Sequence, residues 1–187
     1  MKNFSYKGSR KYIHVTDIYN NLIINYKYKN LDILFKKKIF NQPKIIFLNK
    51  LIKNQRSKVA NCSIKISDKK KTNIIFIYDS KKKIATRYGY DEKLFYNFFR
   101  IKKLSCECNF STSMSSIEVL VALTKFFHLK KLRKHNWFFS RLKLVKKLKE
   151  NNFKIFSIYL KKNYLDMFTI LDIYQSNKYI GEIQFSR

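Results

Sequence analysis

Glycine and proline are almost missing from this chain, with three and one among 187 residues. No glycine-rich phosphate loop, nucleophile elbow or zinc-protease helix can be read in it. Cysteine is nearly as sparse. Cys62, Cys106 and Cys108 form an odd set, which points away from a disulfide framework and toward a reducing compartment. No apolar run approaches the roughly 18 residues that cross a bilayer, so no membrane span is expected. The stretch Met1–Arg10 is polar and lacks the apolar core of a secretory signal, although a short basic presequence would have this composition. Acidic residues are few: 12 against 41 basic ones, for a formal net charge of +29.

That charge has two readings. Taken directly, it predicts an anionic partner such as RNA, as in a ribosomal or organellar-ribosome protein. The composition also fits codon drift. Lys, Asn, Ile, Phe and Tyr, whose codons are AT-rich, are abundant, whereas Gly, Pro and Trp are scarce. A strongly AT-biased genome would charge any protein this way, and it places the chain in the cytoplasm of a reduced bacterial symbiont or in an organelle matrix. Arginine is the better bidentate phosphate ligand. Here it occurs only at Arg10, Arg56, Arg87, Arg100, Arg133, Arg141 and Arg187.

Hydrophobic residues make up 45% of the chain, enough for a substantial core. One order of elements occurs twice. In the N-terminal part, Lys11–Val15 reads as a strand and Asp17–Lys27 as a helix, with Ile18, Leu22, Ile23 and Tyr26 at helical spacing. Strands follow at Lys44–Asn49, Lys58–Ile66 and Asn73–Asp79. Residues 81–102 read as a connector, with a short helix from Asp91 through Arg100. In the C-terminal part, Leu104, Cys106, Cys108 and Phe110 alternate with polar residues, the period of a half-buried strand. Ser115–Leu129 is apolar nearly all round, as in a helix buried on most sides. Strands follow at Trp137–Val145, Phe153–Leu160, Tyr164–Tyr174 and Tyr179–Phe185, joined by hairpin-length connections at 147–152, 161–163 and 175–178. The expected fold class is α+β, an antiparallel sheet wrapped around a long apolar helix. The expected organisation is a strand–helix–strands unit over 1–80, the connector over 81–102 and a second unit over 103–187.

A strand, a long helix and then consecutive antiparallel strands resembles the hotdog fold, and two such units in one chain would resemble a double hotdog. The likeness lies in element order over most of the chain, and residues 103–187 carry it best. It implies a protein that binds or processes an acyl thioester on coenzyme A or acyl carrier protein, as a thioesterase or dehydratase if catalytic, and it admits a homodimer. In that superfamily a carboxylate on or near the central helix, sometimes with a nearby histidine, does the acid–base work. The matching groups here are Glu118 in the first turn of the long helix, Asp17 at the start of the first helix, and His14. The glycine- and proline-rich loop around a dehydratase histidine is not present.

Each residue also has a plainer reading. Glu118 completes Ser115-Ser116-Ile117-Glu118, an S-x-x-E capping box. Asp17 suits the positive end of a helix dipole. His14 between Ile13 and Val15 fits the second face of a strand. Cys106 and Cys108 lack further ligands at metal-site spacing and read as buried apolar residues, so no metal and no cofactor is expected. Lys130, Lys131, Arg133 and Lys134 precede Trp137-Phe138-Phe139, the densest basic–aromatic segment. Such a segment could clamp phosphates and stack a base, attract an acidic carrier protein, or stand as solvated lysines beside a core strand.

Overall fold

The computed structural model of the protein describes residues 3–48, 59–68, 71–133 and 136–187. The chain divides into two compact units, Met1–Asp91 and Glu92–Arg187.

The first unit holds a four-stranded antiparallel sheet. Strands β2 (Asn30–Phe35), β3 (Lys44–Leu48), β4 (Cys62–Ser67) and β5 (Thr72–Tyr78) are arranged in the order β3-β5-β4-β2. A two-residue strand β1 (Tyr6–Lys7) runs parallel to β6 (Arg87–Tyr88). Leu31, Ile33 and Phe35 of β2 and Cys62, Ile64 and Ile66 of β4 face one side and are buried, the period-two pattern of a sheet with one covered face.

Helix α1 (Val15–Ile18) continues as a π-turn, Tyr19–Ile23. Two expectations are corrected here. Lys11–Val15 is not a strand, and His14 is the residue before the helix rather than one on a strand face. The reason is visible in the burial. Ile13 through Tyr19 are all buried in succession, whereas a strand edge would alternate. The first helix is also shorter than Asp17–Lys27, and β2 has no counterpart in the sequence reading. Of the expected strand Lys44–Asn49, Asn49 lies outside the described residues, as do positions 50–58.

The second unit is a six-stranded antiparallel sheet in the order β9-β12-β11-β10-β8-β7. Its strands are β7 (Phe99–Ile101), β8 (Ser105–Ser111), β9 (Phe138–Leu144), β10 (Phe153–Tyr164), β11 (Phe168–Gln175) and β12 (Lys178–Ser186). Strand β10 runs straight through the expected turn at 161–163 to Tyr164, four residues past the expected end at Leu160, with a bulge between Leu160 and Lys162. The hairpin instead closes on Leu165 and Asp166, both at positive φ. Leu104, expected on the covered face of β8, is exposed, while Cys106, Cys108 and Phe110 are inward.

A 3-10 helix, Glu92–Phe98, precedes β7. Helix α2 (Ser116–Phe127) ends in a π-turn, His128–Leu132. It packs on β7, β8, β10 and the 3-10 helix. Ile117, Val119, Leu120, Val121, Ala122, Leu123, Phe126 and Phe127 are all buried, around essentially the whole circumference. Each fully buried large apolar side chain is worth roughly 1.5–3 kcal/mol, so this one helix anchors the unit's core. The overall class is α+β, mostly antiparallel sheet with few helices. No helix among the described residues is long and apolar enough to cross a membrane.

Candidate functional site

In the first unit, a buried polar cluster forms where α1 begins. The parallel pairing of β1 with β6 sets Lys7 beside Tyr88. Gly8 follows at φ +58, where a side chain would meet the Tyr90 carbonyl oxygen at 2.8 Å, so the chain can bend away only with glycine there. The Arg87 guanidinium donates to the carbonyls of Gly8 and Arg10 and holds that bend.

Lys7 is fully buried. Its ammonium donates to Thr16 Oγ1 at 3.0 Å, lies 3.9 Å from Asp17 Oδ1 and stands 4.0 Å from the ring centre of Tyr90. Thr16 Oγ1 is also 2.9 Å from His14 Nδ1. Because the threonine oxygen accepts from lysine, its own proton can be donated to the imidazole, which makes a relay Lys7–Thr16–His14. Tyr88 donates its phenolic proton to Asp17 Oδ1. Tyr88 is 40% exposed and forms the open side of the cluster. The structure therefore brings His14 and Asp17 into one cluster, both reached from Lys7: His14 by hydrogen bonds through Thr16, and Asp17 by an ion contact. Lys7, Thr16 and Tyr88 were missed from sequence. One lysine in a lysine-rich N-terminus carries no distinguishing signal, and the contact with Tyr88 spans 81 positions.

Glu118, in the second unit, completes the capping box. Its Oε2 accepts from the Ser115 backbone N–H at 3.0 Å and from the Ser115 hydroxyl at 2.8 Å. A second carboxylate closes the same helix start: Glu150 Oε2 accepts from the Ser116 N–H at 2.8 Å. The buried Lys154 ammonium lies 3.4 Å from that carboxylate and 3.3 Å from Ser116 Oγ. Gln175 grips both the N–H and the carbonyl of Lys149 and so fixes the connection that delivers Glu150.

Past the other end of α2, Lys130, Lys131 and Arg133 are exposed, with Arg133 in the left-handed conformation that stops the helix. Lys134 lies outside the described residues. A cavity of about 380 Å³ is lined by Glu92, Lys93, Tyr96, Lys125, Leu129, Asn136 and Trp137. Behind it the imidazole of His128 stacks on Trp137 at 4.3 Å, and its Nε2 pairs with Thr169 Oγ1 at 2.8 Å.

Burial pushes the His128 imidazole down from 6.5 to about 3. The unfolded chain takes up this proton as pH drops through about 6.5, the folded chain only near 3. Between those values the unfolded state holds more protons, so stability rises with pH and is lost on acidification. Urea midpoints are expected to fall from pH 6.5 toward pH 4.5, and the fall should be shallower in His128→Leu. An equal slope in both proteins would assign it to another group.

The three cysteines are buried and free. Burial raises the thiols of Cys106 and Cys108 to about 12, and that of Cys62 upward as well. Thiolate is the reactive form, so Ellman's reagent should modify none of the three quickly in the native protein and all three in guanidinium. Rapid native labelling would contradict this burial. Among the described residues no cluster of His, Cys, Asp or Glu could hold a metal ion.

No family model matches the chain, and no curated protein does. Among solved structures it is similar to a candidate thioesterase II from Thermobifida fusca, at a TM-score of 0.43 and 8% identity, covering 95% of this chain and 86% of that one.

Proposed function

We propose that this chain is a hotdog-like protein that binds an acyl thioester carried on coenzyme A or acyl carrier protein, with Asp17 and His14 as the acid–base groups of its site. The buried cluster at the start of α1 carries this reading. Ionisable groups are seldom left this deep without a task, because desolvating a lysine, a carboxylate and an imidazole together is costly. The order of elements in the second unit, with α2 buried against an antiparallel sheet, supports the hotdog assignment. In this scheme Asp17 takes a proton from the water that attacks the thioester carbonyl, and His14 gives its own ring proton to the departing thiolate and regains one at Nδ1 from Lys7 through Thr16. Glu118 holds the matching place in the second unit, in the first turn of its helix. Hydrolysis suits the chain better than dehydration, since the dehydratase loop is not there. Three reduced, buried thiols fit a cytoplasmic or organelle-matrix setting.

The test is a panel of acyl-CoA and acyl-carrier substrates against the wild type, Asp17→Asn, His14→Gln and Glu118→Gln. Turnover should drop about 100-fold or more in Asp17→Asn, while a non-hydrolysable acyl-CoA thioether still binds. Glu118→Gln should keep turnover and lose about 1 kcal/mol of stability, as for a weakened cap. Absence of binding by any acyl thioester would sink the reading, and loss of turnover only in Glu118→Gln would move the site to the second unit.

A second reading rests on Lys130, Lys131 and Arg133, which project together into solvent on a chain of high positive charge. In it the protein binds ribosomal RNA. Stoichiometric co-sedimentation with ribosomes that survives moderate salt would favour it. So would an RNA affinity that falls steeply with salt and in proportion to the number of these cations removed.

A further inference from the structure

We infer that the cavity lined by Tyr96, Lys125 and Trp137 is a binding site for a nucleoside phosphate, separate from the acyl-thioester cluster and independent of that reading. Four observations converge on it. Its volume of about 380 Å³ falls in the lower part of the range of roughly 300–1,000 Å³ for small-molecule sites, the size of a nucleobase with its sugar. Its walls include two aromatic side chains, Tyr96 from the 3-10 helix and Trp137 from the segment before β9. A base stacks on such faces without needing a fixed hydrogen-bond pattern.

Polar groups around the walls select the ligand further. Trp137 is nine-tenths buried, and its Nε1–H, also buried, has no acceptor among the described residues. A buried indole N–H normally finds one, and a base or sugar oxygen in the cavity would supply it. The fourth observation is charge. Lys93 and Lys125 line the cavity, and Leu129 and Asn136, which also line it, bracket Lys130, Lys131 and Arg133 in the chain. Against these cations stands the single carboxylate Glu92, held 3.1 Å from Lys125. An aromatic ligand without charge would make no use of the excess of positive charge around the cavity. A bare phosphate would leave the aromatic walls and the indole donor unused. A nucleoside phosphate uses all three.

The position is kept rigid from behind. His128 is stacked on Trp137 and tied to β11 through Thr169, so the indole is preset rather than ordered on binding.

Trp137 is the chain's single tryptophan, so intrinsic fluorescence reads this cavity directly. The experiment titrates the full-length protein with ADP, and separately with adenosine and with inorganic diphosphate, following tryptophan emission and, in parallel, calorimetric heat. Saturable binding of ADP is expected, at least about tenfold tighter than either fragment. Tyr96→Ala should weaken it about tenfold or more while leaving the circular dichroism unchanged, and Lys125→Met should weaken ADP but not adenosine. Four results overturn the proposal: neither a spectral change nor heat with ADP, ADP and diphosphate binding equally, full affinity in a folded Tyr96→Ala variant, or an oligouridine that binds tightly and is not displaced by ADP. The last would assign the basic segment to an RNA backbone instead.

Discussion

Gly181→Ala is expected to unfold the second unit or leave it severely destabilised. Gly181 sits within β12 at φ +150, and a Cβ there would fall on the Lys143 carbonyl oxygen and 2.9 Å from Leu144 Cα. Both obstacles are backbone of β9, which pairs with β12 on one side while β11 pairs on the other. A side-chain clash can be relieved by a rotamer change, but this one requires two strands to part. The left-handed φ adds strain of its own for any other residue, of order 1–3 kcal/mol. Against a typical domain stability of about 5–15 kcal/mol, a loss of several kcal/mol is expected. Thermal denaturation followed by near-ultraviolet dichroism checks it. A variant whose midpoint stays within a few degrees of the wild type would show that β9 and β12 can separate at little cost. With only three glycines in the chain, placing one here reflects a position that no other residue can fill.

The second large effect is expected at Lys7. Truncation to alanine removes a fully buried ammonium and leaves the Asp17 carboxylate and Thr16 Oγ1 without their cation. Breaking a buried pair from one side costs about 3–5 kcal/mol, because a desolvated charge is left behind. Lys7→Met keeps the volume and removes the charge, so it should cost nearly as much. Pairing it with Asp17→Asn should recover much of the loss, since neither charge then remains. Urea unfolding of the two single variants and the double variant gives the coupling directly. Additive losses would mean that Lys7 and Asp17 act separately and that the cluster is an accident of packing. A large coupling would show that the two charges are held as one group, as the proposed site requires.

The regular parts of this fold could be read from residue patterns alone. The apolar circumference of Ile117 through Phe127 announced a buried helix, and the alternation through Cys106, Cys108 and Phe110 announced a strand. Local spacing was enough in both cases. The α1 region was misread because Ile13, His14 and Val15 resemble an alternating strand, and only the packing above and below them shows that all three are covered. Strand β2 was missed because Asn30–Phe35 carries Asn30 and Asp32 among its apolar residues, and the partner that orders it, β4, lies some thirty positions away. Of the site residues, Glu118 was legible as a cap, since its partner Ser115 is three residues off. The grouping of His14 and Asp17 with Lys7 and Tyr88 depends on a parallel two-residue pairing across most of the first unit. No window of sequence contains that information.

The closed start of α2 has a consequence for electrostatics in the second unit. A helix end presents roughly half a positive charge through its unpaired N–H groups, which is why such ends attract anions. Here the Ser115 and Ser116 N–H groups already face Glu118 and Glu150, and Lys154 supplies one positive charge against two negative. Adding the helix end still leaves the local sum slightly negative. An incoming oxyanion would find the N–H groups that a bare helix start would offer it already taken by side-chain carboxylates. Lys154, by contrast, would hold a net counter-charge if either carboxylate were neutralised. Replacing Glu150 with glutamine would remove one of the two negative charges facing this helix start and leave Lys154 without its carboxylate partner there.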